Sequence, residues 1–128
     1  MPELDTLAEE FSDYGVTLTT PQLAQVSTYL TLLLRWSRRL NLTGLRQPRA
    51  IVRQLFAESL YLTRLVTLHG RLLDVGTGAG FPGLALKLAL PALHVTLLEA
   101  SHRKCTFLKE VVRALDLSEV TIVAERFE

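Results

Sequence analysis

The chain has 128 residues and a formal net charge of +1, and 48% of its residues are hydrophobic against 21% charged. This length and composition indicate one globular domain and exclude a disordered or fibrous protein. Charged residues interrupt the apolar runs well short of the roughly 20 residues that cross a bilayer. The acidic start also lacks the basic residues of a signal peptide. We therefore expect a cytoplasmic protein without a membrane segment.

Cysteine usage and charge distribution narrow the function classes further. The single cysteine, Cys105, excludes an internal disulfide and leaves no metal-ligand cluster, so no metal site is expected. Residues 35–71 contain eight arginines against one acid, Glu58. This basic band suits a polyanion, because binding releases counterions condensed on phosphates, but a solvated helix face explains it equally well. The candidate contacts are Arg35, Arg38, Arg39, Arg46, Arg49 and Arg53.

Residues 1–70 predict three helices from their apolar spacing. The first carries a stripe from Leu4 to Phe11 and ends near Gly15. The second begins with Thr20 as cap and Pro21 in its first turn, and it places arginines on the face opposite its apolar stripe. That stripe contains Leu23, Val26, Leu30, Leu33 and Leu40. The third helix starts after Pro48, and its predicted inward residues are Ile51, Leu55, Leu62 and Leu65.

Residues 71–128 have a different pattern, in which apolar strands alternate with helices. Strands are predicted at 72–75, 93–99 and 120–123, with a helix from near Pro82 to before Pro91 and another capped by Ser101. The order β-α-β-α-β implies a parallel sheet with right-handed crossovers. We predict an α/β fold in which a helical segment, residues 1–70, packs on the first half of a Rossmann-like sheet, residues 71–128, as one folding unit.

A glycine loop joins the first strand to its helix, with the sequence Asp-Val-Gly-Thr-Gly-Ala-Gly-Phe-Pro-Gly at 74–83. A dinucleotide fingerprint needs glycine at its sixth position, where this chain has Phe81, and no Gly-Lys-Ser or Gly-Lys-Thr follows to make a P-loop. An acid preceding Gly76, Gly78 and Gly80 is instead the form typical of S-adenosylmethionine-dependent methyltransferases. We expect the first amides of the following helix to face the methionine carboxylate.

Glu99 ends the second strand, nineteen residues after Gly80. A carboxylate at this position can accept hydrogen bonds from both ribose hydroxyls of an adenosine. The alternative is an ordinary acid at a strand end. Together with the glycine loop, Glu99 indicates S-adenosyl-L-methionine as the cofactor.

Several segments together resemble one known family. Residues 73–83 carry Phe-Pro-Gly directly after the glycine loop, and further matches are Asn41-Leu42-Thr43, residues 103–108 and Arg126-Phe127-Glu128. On these residues the chain resembles the glucose-inhibited division protein B family of class I methyltransferases, which form 7-methylguanosine in 16S ribosomal RNA. The resemblance implies 16S rRNA or the small ribosomal subunit as partner, and we expect a monomer.

The resemblance also assigns cofactor contacts at matching positions. It implies that Gly76 and Phe81 contact the cofactor, and that the remaining contacts border its ribose and adenine. These are Glu99, Ala100, Ser101, Phe127 and Glu128.

The chain departs from the family pattern at two points. The family commonly has a His where this chain has Leu55. Methyltransferase sheets also continue beyond the third strand, so we expect this chain to be a fragment whose first strand has one unpaired side.

No catalytic residue is assigned, because the purine nitrogen already has a lone pair and catalysis requires alignment rather than a base. His69, His94 and His102 are interpreted as surface or capping residues, and Cys105 as a small packed residue. Two other functions stay open. One is a non-catalytic fragment that binds S-adenosylmethionine or RNA, and the other, disfavoured by Phe81, is a dinucleotide-binding fragment of an oxidoreductase.

Overall fold

The computed structural model describes residues 3–126 and confirms the α/β fold class. Its helices are α1 (Leu4–Ser12), α2 (Thr20–Trp36), α3 (Pro48–Ile51), α4 (Glu58–Leu65), α5 (Gly83–Ala89) and α6 (His102–Ala114), and a π-helical segment (Val52–Ala57) joins α3 to α4. Its strands are β1 (Arg71–Val75), β2 (His94–Leu98) and β3 (Val120–Val123). The alternation predicted for residues 71–123 is therefore confirmed.

Helix α2 begins with a capping box one residue earlier than predicted. The Thr19 hydroxyl accepts from the Gln22 amide at 3.3 Å, and the Gln22 side chain accepts from the Thr19 amide at 2.8 Å. Two amides that lack partners inside the helix are thereby satisfied. The helix ends at Trp36, so Leu40, which was predicted on its stripe, lies beyond it.

The third predicted helix contains a π-helical segment that shifts its buried face. Ile51 is fully buried as predicted, but Leu62 and Leu65 are 36% and 63% exposed, so their predicted inward orientation is wrong. A π turn holds more residues than an α turn, and an extrapolated α-helical stripe therefore falls out of phase after it. Phe56 and Leu60 occupy the buried face instead.

The three strands form a parallel sheet in the order β1-β2-β3. Val95 and Leu97 are buried, and the start of α5 packs so closely that a side chain at Gly83 would collide with Leu97 and Asp74. On the opposite face, Leu73 and Val75 are 59% and 45% exposed. One face of the sheet is thus covered by helices, whereas the β1 part of the other is open within residues 3–126.

Strand β1 lies at an edge of the sheet, as expected. Among the described residues it pairs only with β2, from Arg71 opposite His94 to Val75 opposite Leu98. Parallel sheets normally have both faces covered and few exposed edges. The exposed edge and the exposed apolar side chains therefore lie together on β1.

Residues 3–126 contain neither a helix that could span a membrane nor a cluster of metal-ligating side chains. None of the helices there has the length and apolar character that crossing a bilayer requires. No group of three or more His, Cys, Asp or Glu side chains in that range is arranged to hold a metal ion.

The two faces of the sheet predict a large loss of stability for a substitution on the covered face and a small change for one on the open face. Leu97→Ala should lower the free energy of unfolding by about 2–5 kcal/mol, because Leu97 is fully buried beneath α5. Leu73→Lys should change it by less than about 0.5 kcal/mol, because Leu73 is exposed. Urea unfolding measures both variants, and an equal loss in the two would contradict an open face at Leu73.

Candidate functional site

A cleft of about 400 Å³ opens at the carboxyl ends of β1 and β2 and beside the chain that follows β3. Three of the predicted cofactor contacts line it, namely Gly76, Glu99 and Ala100. Its other lining residues are Val75, Leu98, Glu125 and Arg126. Ligands of open α/β sheets bind outside the carboxyl ends of the strands, and this cleft occupies that position.

The Glu99 carboxylate is held in place by two backbone amides. Its Oε1 accepts from the Gly78 amide at 2.9 Å, and its Oε2 accepts from the Ser101 amide at 2.8 Å. The residue is only 8% exposed. A carboxylate has about four acceptor sites, so each oxygen still has capacity for a second donor. Glu99 therefore connects the glycine loop to the start of α6 while it borders the cleft.

The glycine loop between β1 and α5 requires backbone conformations that other residues rarely adopt. Gly76, Gly78 and Gly80 have φ of 69°, 59° and 99°. The Gly76 amide donates to the Leu98 carbonyl at 2.8 Å, which ties the loop to the end of β2. These positive φ values account for glycine at all three positions.

The acid before the glycines, Asp74, accepts hydrogen bonds from the beginning and from the end of the loop. Its Oδ2 accepts from the Thr77 hydroxyl at 2.6 Å and from the Gly83 amide at 2.9 Å. The Leu84 amide donates to the Gly80 carbonyl at 2.7 Å. Gly83 and Leu84 begin α5, so the expectation that the first helical amides face a ligand is wrong for these two. They donate within the protein instead.

Four further predicted contacts, Gly78, Gly80, Phe81 and Ser101, are not in the lining of this cleft. The Gly80 backbone and the Phe81 ring pack towards α2, where Phe81 stacks on Tyr29 with ring centroids 5.2 Å apart. Ser101 caps α6, as predicted, by accepting from the Lys104 amide at 3.2 Å. Phe127 and Glu128 lie outside the described residues.

Cys105 has the surroundings of a packed residue. It is 3% exposed, and its thiol donates to the Glu99 carbonyl at 3.4 Å. Burial, with the nearby Glu99 charge, raises the pKa of the Cys105 thiol. A raised pKa keeps the sulfur protonated and unreactive, which agrees with the packing interpretation.

Five arginines of the predicted basic band fall into two groups, one of them paired with acids. Arg49 and Arg53 contact Glu10 of α1, at 2.8 Å and 2.5 Å, and Arg53 also contacts Asp13 at 3.1 Å. These two arginines are compensated by acids of their own chain.

The other group surrounds a second cleft, of about 430 Å³, at the end of α2. Its lining comprises Arg35, Trp36, Arg38, Arg39, Leu40 and Arg103. Arg103 of α6 donates to the Arg39 carbonyl at 2.9 Å and so brings a fourth guanidinium to this cleft. Arg46 is exposed but lies outside this lining.

Comparison with known proteins identifies the family to which this chain belongs. Residues 22–128 match the family model GidB, described as rRNA small subunit methyltransferase G. The chain belongs to this family.

Curated relatives extend the match along nearly the whole chain. Proteins named ribosomal RNA small subunit methyltransferase G are 43% identical over 123 residues in Chloroflexus aggregans and 49% identical over 100 residues in Xylella fastidiosa. These alignments cover 95% and 78% of this chain but 52% and 47% of the relatives. The chain therefore spans about half the length of the family members that it matches.

Sequence reasoning missed several residues at these sites. Tyr29 reaches the loop from α2, Arg103 joins the basic cleft from α6, and Glu125 and Arg126 line the first cleft. Arg103 and Arg126 belong to segments that carry the family resemblance, but that resemblance assigns neither of them to a site. Their contacts span long sequence separations, and no local spacing indicates them.

Asp74 generates a stability prediction. Asp74→Ala should lower the free energy of unfolding by about 1–3 kcal/mol, because the Thr77 hydroxyl and the Gly83 amide lose their acceptor. Asp74→Asn should cost less, since its amide oxygen still accepts. Guanidinium unfolding compares the two variants, and equal losses would show that the two hydrogen bonds do not stabilise the loop.

Proposed function

We propose that this chain forms the cofactor-binding half of an S-adenosylmethionine-dependent methyltransferase that produces 7-methylguanosine in 16S rRNA. The observation that carries the proposal is the cleft at the carboxyl ends of β1 and β2, where Glu99 and the glycine loop meet. Membership of the rRNA small subunit methyltransferase G family supports the same activity.

The residues of the cleft fit this cofactor in size and chemistry. A volume of about 400 Å³ lies within the range of small-molecule sites. The remaining acceptor capacity of Glu99 suits the two ribose hydroxyls, and the adjacent Ala100 and Ser101 border the same end. Gly76 has no side chain, so a ligand can approach its backbone closely. On the family resemblance, we propose Phe127 and Glu128 as further contacts of the adenine.

The protein contributes positioning to the proposed reaction rather than acid-base chemistry. The cofactor, when bound, supplies an electrophilic methyl group on a sulfonium. The guanine nitrogen has a free lone pair, so no residue must remove a proton from it, and orientation of the two reactants supplies the acceleration. Glu99 and the glycine loop fix the cofactor end of this alignment.

We propose that the RNA contacts of this chain lie at the second cleft. Arg35, Arg38 and Arg39 are exposed there and are joined by Arg103, while Trp36 provides an aromatic wall. Guanidinium groups bind phosphates, and aromatic rings stack on unpaired bases. This proposal leaves Arg49 and Arg53 out of the candidate RNA contacts, because both already pair with Glu10 of α1.

Cofactor binding tests the proposed activity first. We expect the chain to bind S-adenosylmethionine saturably in calorimetry and to ignore NAD. Glu99→Gln should weaken that binding at least tenfold, because its side-chain amide supplies one acceptor oxygen where the carboxylate supplies two, and hydrogen bonds to a charged group contribute about 1.5–3 kcal/mol.

Glu110→Gln is the matched control, since Glu110 pairs with Arg113 on the surface of α6. Its affinity should equal that of the unaltered chain. Saturable binding of NAD, or an unchanged affinity in Glu99→Gln, would remove this cofactor assignment.

RNA binding is tested by charge reversal at the second cleft. Arg38→Glu should weaken binding of small ribosomal subunits. It should also make the fall of log affinity with log salt less steep by about one, because the lost phosphate contact no longer releases a counterion. Arg113→Glu makes the same charge change on α6, where Arg113 pairs with Glu110. Filter binding at several salt concentrations compares them, and equal effects would indicate a response to net charge alone.

A further inference from the structure

The Tyr29 hydroxyl reaches the glycine loop from the helical segment. Tyr29 lies on α2, is fully buried, and donates to the Ala79 carbonyl at 2.6 Å. Ala79 is fifty residues further along the chain, between two glycines of the loop. A side chain of residues 1–70 therefore supports the backbone that borders the proposed cofactor site.

The peptide between Ala79 and Gly80 is held at both of its polar atoms. Its carbonyl accepts from Tyr29, and its N–H donates to the Thr77 carbonyl at 3.0 Å. A peptide plane is rigid, so turning it would break both hydrogen bonds together. The preceding glycine, Gly78, is bonded to Glu99. The loop is thus anchored to Tyr29 on one side and to Glu99 on the other.

The Tyr29 ring has little freedom to move its hydroxyl. It stacks on Phe81 with a centroid separation of 5.2 Å and meets the Phe56 ring edge-on at 4.9 Å. Phe56 also contacts Phe81 edge-on at 4.8 Å. Such aromatic contacts stabilise defined ring orientations. The cluster brings together α2, the π-helical segment and the loop, and it directs the hydroxyl at Ala79.

Gly80 provides the space that this contact needs. A Cβ built at Gly80 would overlap with the Tyr29 hydroxyl and press on Leu84 and Leu108. Its φ of 99° independently favours glycine. Burial, with the Asp74 charge, also raises the pKa of Tyr29 well above its ordinary value, so the hydroxyl stays a donor at neutral pH.

We propose that Tyr29 is a positioning residue for the cofactor site, which orients the Ala79–Gly80 peptide and thereby fixes the glycine loop in its binding conformation. This inference rests on the proposed cofactor. It assigns the helical segment a role in cofactor binding that is separate from any contact between its arginines and RNA.

The test is Tyr29→Phe, which keeps the ring and removes one hydroxyl. We expect S-adenosylmethionine affinity to fall about tenfold, because the Ala79 carbonyl loses its partner and the loop peptide is no longer held. Val26→Ala is the matched control, since Val26 is fully buried on the same helix and its side chain donates no hydrogen bond. It should lower the melting temperature without changing the affinity.

Amide hydrogen exchange gives a measurement that needs no cofactor. In Tyr29→Phe the Gly80 amide should exchange about tenfold faster, while the Leu97 amide in β2 exchanges as before. An unchanged Gly80 rate relative to Leu97 would overturn the positioning role. If no variant binds the cofactor, the proposed function fails for this chain, and the exchange rates alone still decide whether Tyr29 orients the loop.

A double substitution separates positioning from general destabilisation. Gly80→Ala should weaken affinity and accelerate loop exchange, because its Cβ collides with the Tyr29 hydroxyl. In Tyr29→Phe/Gly80→Ala that collision is relieved, so the combined loss should be smaller than the product of the single losses. If the two single substitutions accelerate loop exchange by factors that simply multiply in the double variant, Tyr29 is not directly coupled to Gly80.

Discussion

The glycine loop turns through three residues with positive φ, yet its backbone polar groups still have to find partners, and much of the structure around it follows from that constraint. A buried amide or carbonyl without a partner is costly. Three side chains supply the partners. Asp74 binds the beginning and end of the loop, Glu99 binds Gly78, and Tyr29 binds Ala79.

The three anchors come from different parts of the chain, so the loop conformation requires the whole fold. Asp74 belongs to β1, Glu99 follows β2, and Tyr29 belongs to α2. The helical segment therefore packs on the sheet and also supplies one of the side chains that hold the loop. Among the described residues, its burial of Tyr29, Phe56 and Leu60 gives the two segments one hydrophobic core.

Tertiary contacts also determine which charged side chains are paired and which apolar side chains stay exposed. The ion pairs of Glu10 with Arg49 and Arg53 hold α1 against α3 and the π-helical segment, while the cleft at the end of α2 leaves its arginines exposed. Leu73 and Val75 remain exposed on β1, on a face that a doubly wound parallel sheet normally covers. The relatives are about twice as long as this chain.

The sequence by itself determined the α/β class, the three strands, the glycine loop and the Glu99 position, because these depend on local periodicity and on glycines that require positive φ. It failed at Leu62 and Leu65, since a π-helical turn shifts the buried face without a local signal. It also could not show that the Gly83 amide is bound by Asp74. Only the tertiary structure decided which arginines are paired and that Tyr29 supports the loop, because these contacts join residues about forty or more positions apart.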